Sequence, residues 1–244
     1  LDVRAGRIVK GVRFADLRDA GDPAERAALY EAQGADEIVL LDISATQEER
    51  AASVATIQSV RSAISIPLTV GGGVRGAEWA GALVAAGADK IGVNSAAVQD
   101  PQLIHECSAL FGRQCVVVAI DAATTEPSAA WEVVVRSGSV RTGKCVIKWA
   151  RQVEELGAGE ILLTSWDRDG AQTGYDLALL GAIRAAVSIP VIASGGAGSV
   201  AHMLDAFRAG ADAALAASIF HDGHTTVREV KNALAAQGER IRAC

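Results

Sequence analysis

IPVIASGGA at residues 189–197 repeats, with changes, IPLTVGGGV at residues 66–74. Each is a short β-rich apolar run that ends in glycines. Alone, such a run fits a strand in many kinds of sheet. Its recurrence decides the fold, because its neighbours recur with it. GADEIVLLD (34–42) resembles GAGEILLTS (157–165), and AGADKIGVNSAAV (86–98) resembles AGADAALAASIFH (209–221). The three pairs keep one order and one offset, since 157 − 34, 189 − 66 and 209 − 86 all equal 123. Such self-similarity marks a duplicated architecture, with halves at about 1–119 and 120–244.

Outward from these blocks, apolar runs alternate with helical stretches. Strands are expected to end at Val3, Asp42, Val70, Asn94, Asp121, Ser165, Ser194 and Ser218. Amphipathic stretches such as PAERAALYEAQG (23–34) and VAHMLDAFRAG (200–210) lie between them, each stopped by a glycine. Nearly all-apolar strands separated by helices mean a parallel sheet covered on its outside. Eight such units, built as twice four, favour a closed (β/α)8 TIM barrel over an open doubly wound sheet. The whole of 1–244 is expected to form one barrel domain, with its first strand truncated at the N-terminus, because the sequence opens at Leu1 rather than at Met. The stretch 122–143 is too long for an ordinary βα loop. WEVVVRSGSV (131–140) reads as a small hairpin inside it, a decoration or lid above the barrel.

The chain is 50% hydrophobic and 21% charged, enough to bury one large core. Its net charge of −6 and lack of a basic run argue against nucleic acid or an anionic membrane as partner. No apolar run reaches the ~18 residues a membrane helix needs. Cys107, Cys115, Cys145 and Cys244 show no CxxC spacing and are expected to be reduced thiols of a cytoplasmic protein.

In such barrels chemistry sits at the C-terminal ends of the strands. There the repeat places Gly71, Gly72 and Gly73 after the third strand, and Gly195 and Gly196 after the seventh. The fourth strand ends at Asn94-Ser95 and the eighth at Ala217-Ser218. Glycine lets a backbone approach an anion closely, and a following helix N-terminus adds partial positive charge. The plain alternative is that these glycines only make tight turns. The paired occurrence predicts two phosphate cradles on opposite sides of the mouth, and hence a ligand with a phosphate at each end.

Asp2 and Asp121 end the first and fifth strands, equivalent positions in the two halves. A carboxylate between two anion cradles is poorly placed to bind an anion but well placed to move protons on the middle of a long substrate. Helix capping and a Mg²⁺ site are the alternatives. Lys10 can reach a phosphate from the first loop, and Asp42 ends the second strand. The sixth strand runs into a polar loop, Thr164 to Thr173, in which Asp169 can orient the substrate by a hydrogen bond. Its DxDG lacks the remainder of a Ca²⁺ loop. His221 and His224 lack a third ligand and read as surface residues, so no metal and no cofactor is expected. Glu37, Lys90 and Glu160 begin the second, fourth and sixth strands. Either they are ordinary rim residues, or they form an inward charged layer at the bottom of the barrel, where charges need partners.

LDVRAGRIVKGVRFADLRDAGDP, LTVGGGVR, ADKIGVNSAAV, VVVAIDA, GAGEILLTSWDRDG and IPVIASGGAG together resemble the cyclase subunit of imidazole glycerol phosphate synthase, a lyase of histidine biosynthesis. The resemblance spans nearly the whole chain, and TSWDRDG is its most specific part. It implies a barrel that takes a bisphosphate, PRFAR, and ammonia, and forms imidazole glycerol phosphate and AICAR. It implies catalytic aspartates at Asp2 and Asp121. Its phosphate-binding positions match Gly73, Asn94, Asp169, Gly170, Gly196, Ala217 and Ser218, with Lys10 nearby. It implies an ammonia gate at Glu37, Lys90 and Glu160, and a glutaminase subunit docked at the N-terminal face as a heterodimer. The gate's arginine on the first strand has no counterpart in this sequence. Ser95 stands where many relatives have Thr, and the loop after Asp121 lacks their usual basic residues and glycines. The isomerase of the same pathway shares the halves, both cradles and both aspartates. A non-catalytic phosphate-binding barrel is the third reading.

Overall fold

The computed structural model describes residues 1–242 except 13, 14, 44, 46–52, 127–129 and 137, with backbone alone at 10–12 and 15–17. The strands are β1 (Asp2–Arg4), β2 (Arg7–Val12), β3 (Ala15–Gly21), β4 (Ile38–Asp42), β5 (Leu68–Gly71), β6 (Lys90–Val93), β7 (Val116–Thr125), β8 (Ala130–Val135), β9 (Val140–Cys145), β10 (Glu160–Ser165), β11 (Val191–Ser194) and β12 (Ala213–Ala214). The helices are α1 (Pro23–Ala32), α2 (Val54–Ala63), α3 (Ala77–Ala85), α4 (Ser95–Gln99), α5 (Gln102–Phe111), α6 (Val146–Glu155), α7 (Leu177–Arg184), α8 (Val200–Arg208), α9 (Ser218–His221) and α10 (Val227–Ala236).

Parallel ladders join β1, β4, β5, β6, β7, β10, β11 and β12 in that order. With helices between successive strands, this is a (β/α)8 barrel. All four residues of β5 are buried, as are Val116, Val117, Val118 and Ile120 of β7. Burial on both faces explains why these strands read as unbroken apolar runs. The helices turn one stripe inward. On α6, Val146, Trp149, Ala150 and Val153 are buried at helical spacing. Local chemistry sets the helix starts. Asp22 accepts from Ala24 N (2.9 Å) and Glu25 N (3.1 Å) ahead of Pro23, and Thr226 with Glu229 forms a capping box at α10.

The 123-residue repeat extends to polar contacts. Arg61 pairs with Asp89 (2.9 Å) and Arg184 with Asp212 (3.1 Å). Asp89 accepts from Leu68 N (2.8 Å), and Asp212 from Val191 N (2.9 Å). Glu31 accepts from Ser65 N (2.9 Å), and Glu154 from Ser188 N (3.0 Å). In each half the acids satisfy backbone donors at strand starts, where the ladder leaves them exposed.

Three boundaries differ from the expected ones. The eighth strand ends at Ala214, and Ser218 instead opens α9. The fifth continues past Asp121 to Thr125, because antiparallel pairing with β8 extends it. The opening stretch forms an antiparallel ribbon, β1–β2–β3, that its sequence pattern does not announce. Ala5 (φ 49°) and Gly6 (φ 75°) make its first turn, both in the left-handed region a two-residue hairpin requires.

Among the described residues no ladder joins β12 to β1. On that side α10 ties to the end of α1: Lys231 Nζ donates to Asp36 Oδ1 (2.9 Å) and Gly34 O (2.8 Å), and Arg228 donates to Ala32 O (2.8 Å). Among the described residues no helix is long and apolar enough to cross a membrane.

Candidate functional site

A cavity of about 1340 Å³ runs from the C-terminal ends of the barrel strands to Glu37 and Thr69 at their starts, and along the side between β12 and β1, where Val230 and Lys231 line it. Asp2, Gly72, Gly73, Asn94, Ser95, Asp121, Thr164, Asp169, Gly170, Gly195, Gly196, Ala217 and Ser218 all line it. The site residues expected there are thus gathered in one space, apart from Lys10. The Lys10 backbone lies in β2, and its side chain is outside the described residues.

Asp2 lies on β1 and Asp121 on β7, four steps round an eight-stranded barrel and therefore on opposite walls. Thr164 on β10 is the ladder neighbour of Asp121 and hydrogen-bonds its carboxylate. Asn94 Nδ2 donates to Asp121 Oδ2 (2.8 Å). Burial pushes the Asp121 carboxyl up, and nearby Asp169 adds to this. The bonds from Asn94 and Thr164 oppose it, leaving a pKa of about 6. Burial also raises Asp2. Asp121 is therefore poised to hold or release a proton near neutral pH. Asn94 Oδ1 is buried without a partner among the described residues, an acceptor awaiting a donor.

The glycine turns are built for close approach. A Cβ on Gly72 (φ 110°) would sit 2.3 Å from Asp42 O; one on Gly195 (φ 86°) would sit 2.8 Å from Ser165 O. Asp42 and Ser165 are themselves repeat equivalents, 165 − 42 being 123. Gly196 (φ 101°) is held against Gly174, whose N–H donates to Gly196 O (2.8 Å). Asn94 (φ −138°, ψ −97°) and Ala217 (φ −128°, ψ −68°) adopt the same unusual turn before their helices. Those helices, α4 and α9, are only five and four residues long. The expected helix-dipole contribution is correspondingly small, and each cradle depends on its turn. Asp42 is buried and accepts from Ala45 N (3.2 Å).

The loop after β10 is folded back on the barrel. Trp166 N donates to Ala122 O (2.8 Å) and Asp169 N to Ser165 O (3.0 Å), which points Asp169 and Gly170 into the cavity wall. The extension of β7 and the β8 strand paired with it are fastened to the same loop. Asp167 Oδ2 accepts from Thr124 N and Oγ1 (both 2.7 Å), and Trp131 Nε1 donates to Asp176 (3.3 Å). Residues 127–129 and 137 of the stretch read as a lid are outside the described residues.

At the opposite, N-terminal end of the strands, Lys90 Nζ bonds Glu37 Oε2 (2.8 Å) and Glu160 Oε1 (2.7 Å), and Thr69 donates to Glu37. The three charges meet in one layer instead of pointing outward at the rim. Burial alone would lower the Lys90 ammonium, but the two carboxylates outweigh it and its pKa is raised. Glu160 Oε2 is buried and unpartnered among the described residues. The cavity that holds the aspartates is also lined by Glu37 and Thr69.

His221 departs from its expected surface position. It is half-buried, with Nδ1 2.6 Å from Tyr30 Oη, because α9 packs against α1. His224 is exposed. Cys107 and Cys115 are buried free thiols and Cys145 an exposed one; Cys244 is outside the described residues. Sequence reading missed Arg75, Arg136 and Gln172, which also line the cavity. Arg75 follows the first glycine turn directly, a legible signal. Arg136 and Gln172, both at positive φ (52° and 55°), reach the mouth only through loop geometry. Residues 1–226 match the family model described as "Histidine biosynthesis protein". The chain accordingly belongs to the histidine biosynthesis protein family, a family of barrel enzymes.

Proposed function

We propose that this chain is the cyclase of the pathway, converting the bisphosphate PRFAR and ammonia to imidazole glycerol phosphate and AICAR. The observation that carries this reading is the shared cavity. Its walls include the mouth aspartates and, at the far end, Glu37 and Thr69 beside the Lys90–Glu160 pair. A charged layer costs several kcal/mol in desolvation unless well paired. An enzyme using only its mouth has no need of one at the bottom. An ammonia-using barrel does: carboxylate oxygens such as Glu160 Oε2 accept from a passing N–H. A glutaminase subunit docked at the N-terminal face would deliver the ammonia there.

In this scheme the two glycine turns grip the terminal phosphates, with Lys10 assisting. The middle of the substrate then lies between Asp2 and Asp121. As ammonia adds, one carboxylate takes a proton from the nitrogen and the other carboxyl returns one to the departing group. A carboxyl near pKa 6 suits such exchange at neutral pH. Asp169 and Asn94 orient the substrate by hydrogen bonds. The isomerase of the same family uses the same cradles and acids but needs no nitrogen source.

The test supplies PRFAR and its isomerase precursor separately, with ammonium as nitrogen source. AICAR release from PRFAR is expected. Asp2→Asn and Asp121→Asn should each lower it by about 10²–10⁴-fold while the bisphosphate still binds. Turnover of the precursor by isomerisation alone, without AICAR, overturns the cyclase. Activity unchanged in both variants overturns aspartate catalysis.

A further inference from the structure

The two cradles are related by the repeat, yet their surroundings differ in charge. Arg75, one residue past Val74 in the first glycine turn, lines the cavity with its guanidinium 5.6 Å from the Trp79 ring. Its counterpart in the second half is Gly198, since 198 − 75 is 123. The second cradle, 195–198 and 217–220, contains no Lys or Arg. Arg168, beside Gly196, turns its guanidinium to Thr173 Oγ1 (3.3 Å).

The first cradle receives a second cation from the hairpin. Val134 is the ladder partner of Asp121, so Arg136, two residues on, emerges above the mouth. Its N–H donates to Ser95 Oγ (3.2 Å). Next to it, Gly138 (φ 76°) lies against Trp166 so closely that a Cβ would come within 2.3 Å of the ring. Arg136 and Gly138 are thus each held against the mouth, with Arg136 in a left-handed conformation unusual for a residue with a Cβ. The exposed Arg136 side chain lines the cavity and has no carboxylate partner among the described residues. Because Ser95 Oγ accepts from the Arg136 backbone, its own proton remains to be donated to a ligand.

We propose that Arg136 makes the cradle at Gly72, Gly73 and Ser95 the tighter of the two anion sites, its guanidinium gripping a phosphate that the turn alone holds weakly. The proposal deepens the bisphosphate reading above and rests on it for the ligand's identity. A guanidinium offers a planar fork to phosphate oxygens, and the bond from Arg136 N to Ser95 already holds its backbone over the cradle.

Inorganic phosphate titrated into the full chain tests this by backbone amide shifts. The amides of Gly73 and Ser95 are expected to saturate at lower phosphate than those of Gly196 and Ser218. Arg136→Gln should weaken the first pair's affinity about tenfold and leave the second unchanged. Arg136→Lys should recover part of the loss, because charge returns without the fork. Equal loss at both cradles, no loss at either, or no saturation at Gly73 and Ser95 overturns the proposal. The site is exposed, so unchanged dispersion elsewhere in the spectrum verifies folding. An unequal pair of affinities in a chain that releases no AICAR would sink the cyclase and keep Arg136 as a phosphate ligand. AICAR release together with an unaffected Arg136→Gln titration would do the reverse.

Discussion

Asn94 Nδ2 donates a 2.8 Å hydrogen bond to Asp121 Oδ2, joining the residue that opens α4 to the acid on β7. The bond stabilises the carboxylate form, while burial and Asp169 favour the protonated one. The balance is a pKa of about 6, against 3.8 for an ordinary aspartate.

That balance has a stability consequence of definite sign. The folded chain binds the Asp121 proton more tightly than the unfolded chain, so this group's contribution declines as pH rises through about 4 to 7. Asp121→Asn removes the penalty. It should stabilise the fold by about 1–3 kcal/mol at pH 7.5, with the gain vanishing below about pH 3, where the parent is protonated in both states. Urea melts at the two pH values check this, and a pH-independent difference would contradict it. Asn94→Ala should move the limb of the pH–rate profile set by Asp121 to higher pH, because it deletes a bond to the ionised form.

The Lys90 layer yields a second expectation. Its side chains retain only 18% (Lys90), 23% (Glu37) and 20% (Glu160) of their exposure. Lys90→Met leaves two half-buried carboxylates facing one another without a cation. A loss of about 2–4 kcal/mol at pH 8 is expected. The loss should shrink toward pH 5, because acid neutralises carboxylates left facing one another without a cation. A loss constant across that range would show that the ion pairing is not what matters.

Two glycines separate backbone need from mere smallness. Gly72→Ala forces a Cβ to 2.3 Å from Asp42 O at φ 110° and should cost about 1–3 kcal/mol or more. Phosphate binding at the first cradle should fall with it. Gly181 lies inside α7, with an ordinary helical backbone and open space within 4 Å of where a Cβ would sit. Gly181→Ala should instead raise stability by about 0.5–1 kcal/mol. Opposite shifts in thermal midpoint are the expected result.

Much of the site is legible because its markers are local. Gly72, Gly73, Gly195 and Gly196 must be glycine at their positive φ angles, so the cradles are written as glycine pairs. Asp121 follows an apolar strand and so has to reach its mouth end. Arg136 is not legible. Its place over Ser95 depends on antiparallel pairing that carries β7 and β8 beyond the barrel, and nothing in RSGS itself specifies that meeting. The expected strand end at Ser218 fails because AALAA before it is apolar throughout, a pattern a buried strand shares with a buried turn and short helix. His221 reads as a surface residue along the chain, but packing of α9 brings Tyr30 to its ring.

The sequence by itself determined the duplicated order of strands and helices, the barrel class and the family. The order and the barrel class rest on periodicity, on glycine's unique backbone freedom and on a 123-residue repeat; the family rests on the resemblance of motifs such as TSWDRDG. Only the tertiary structure decided which charges meet. Lys90 bridges Glu37, 53 residues before it, and Glu160, 70 residues after it, because parallel register brings three strand starts into one layer. Asp121 owes its raised proton affinity to burial in the assembled barrel, with Asp169 adding to it and the bonds from Asn94 and Thr164 opposing it. Side-chain partners across a barrel are set by strand register and closure, and these are properties of the assembled sheet rather than of any segment within it.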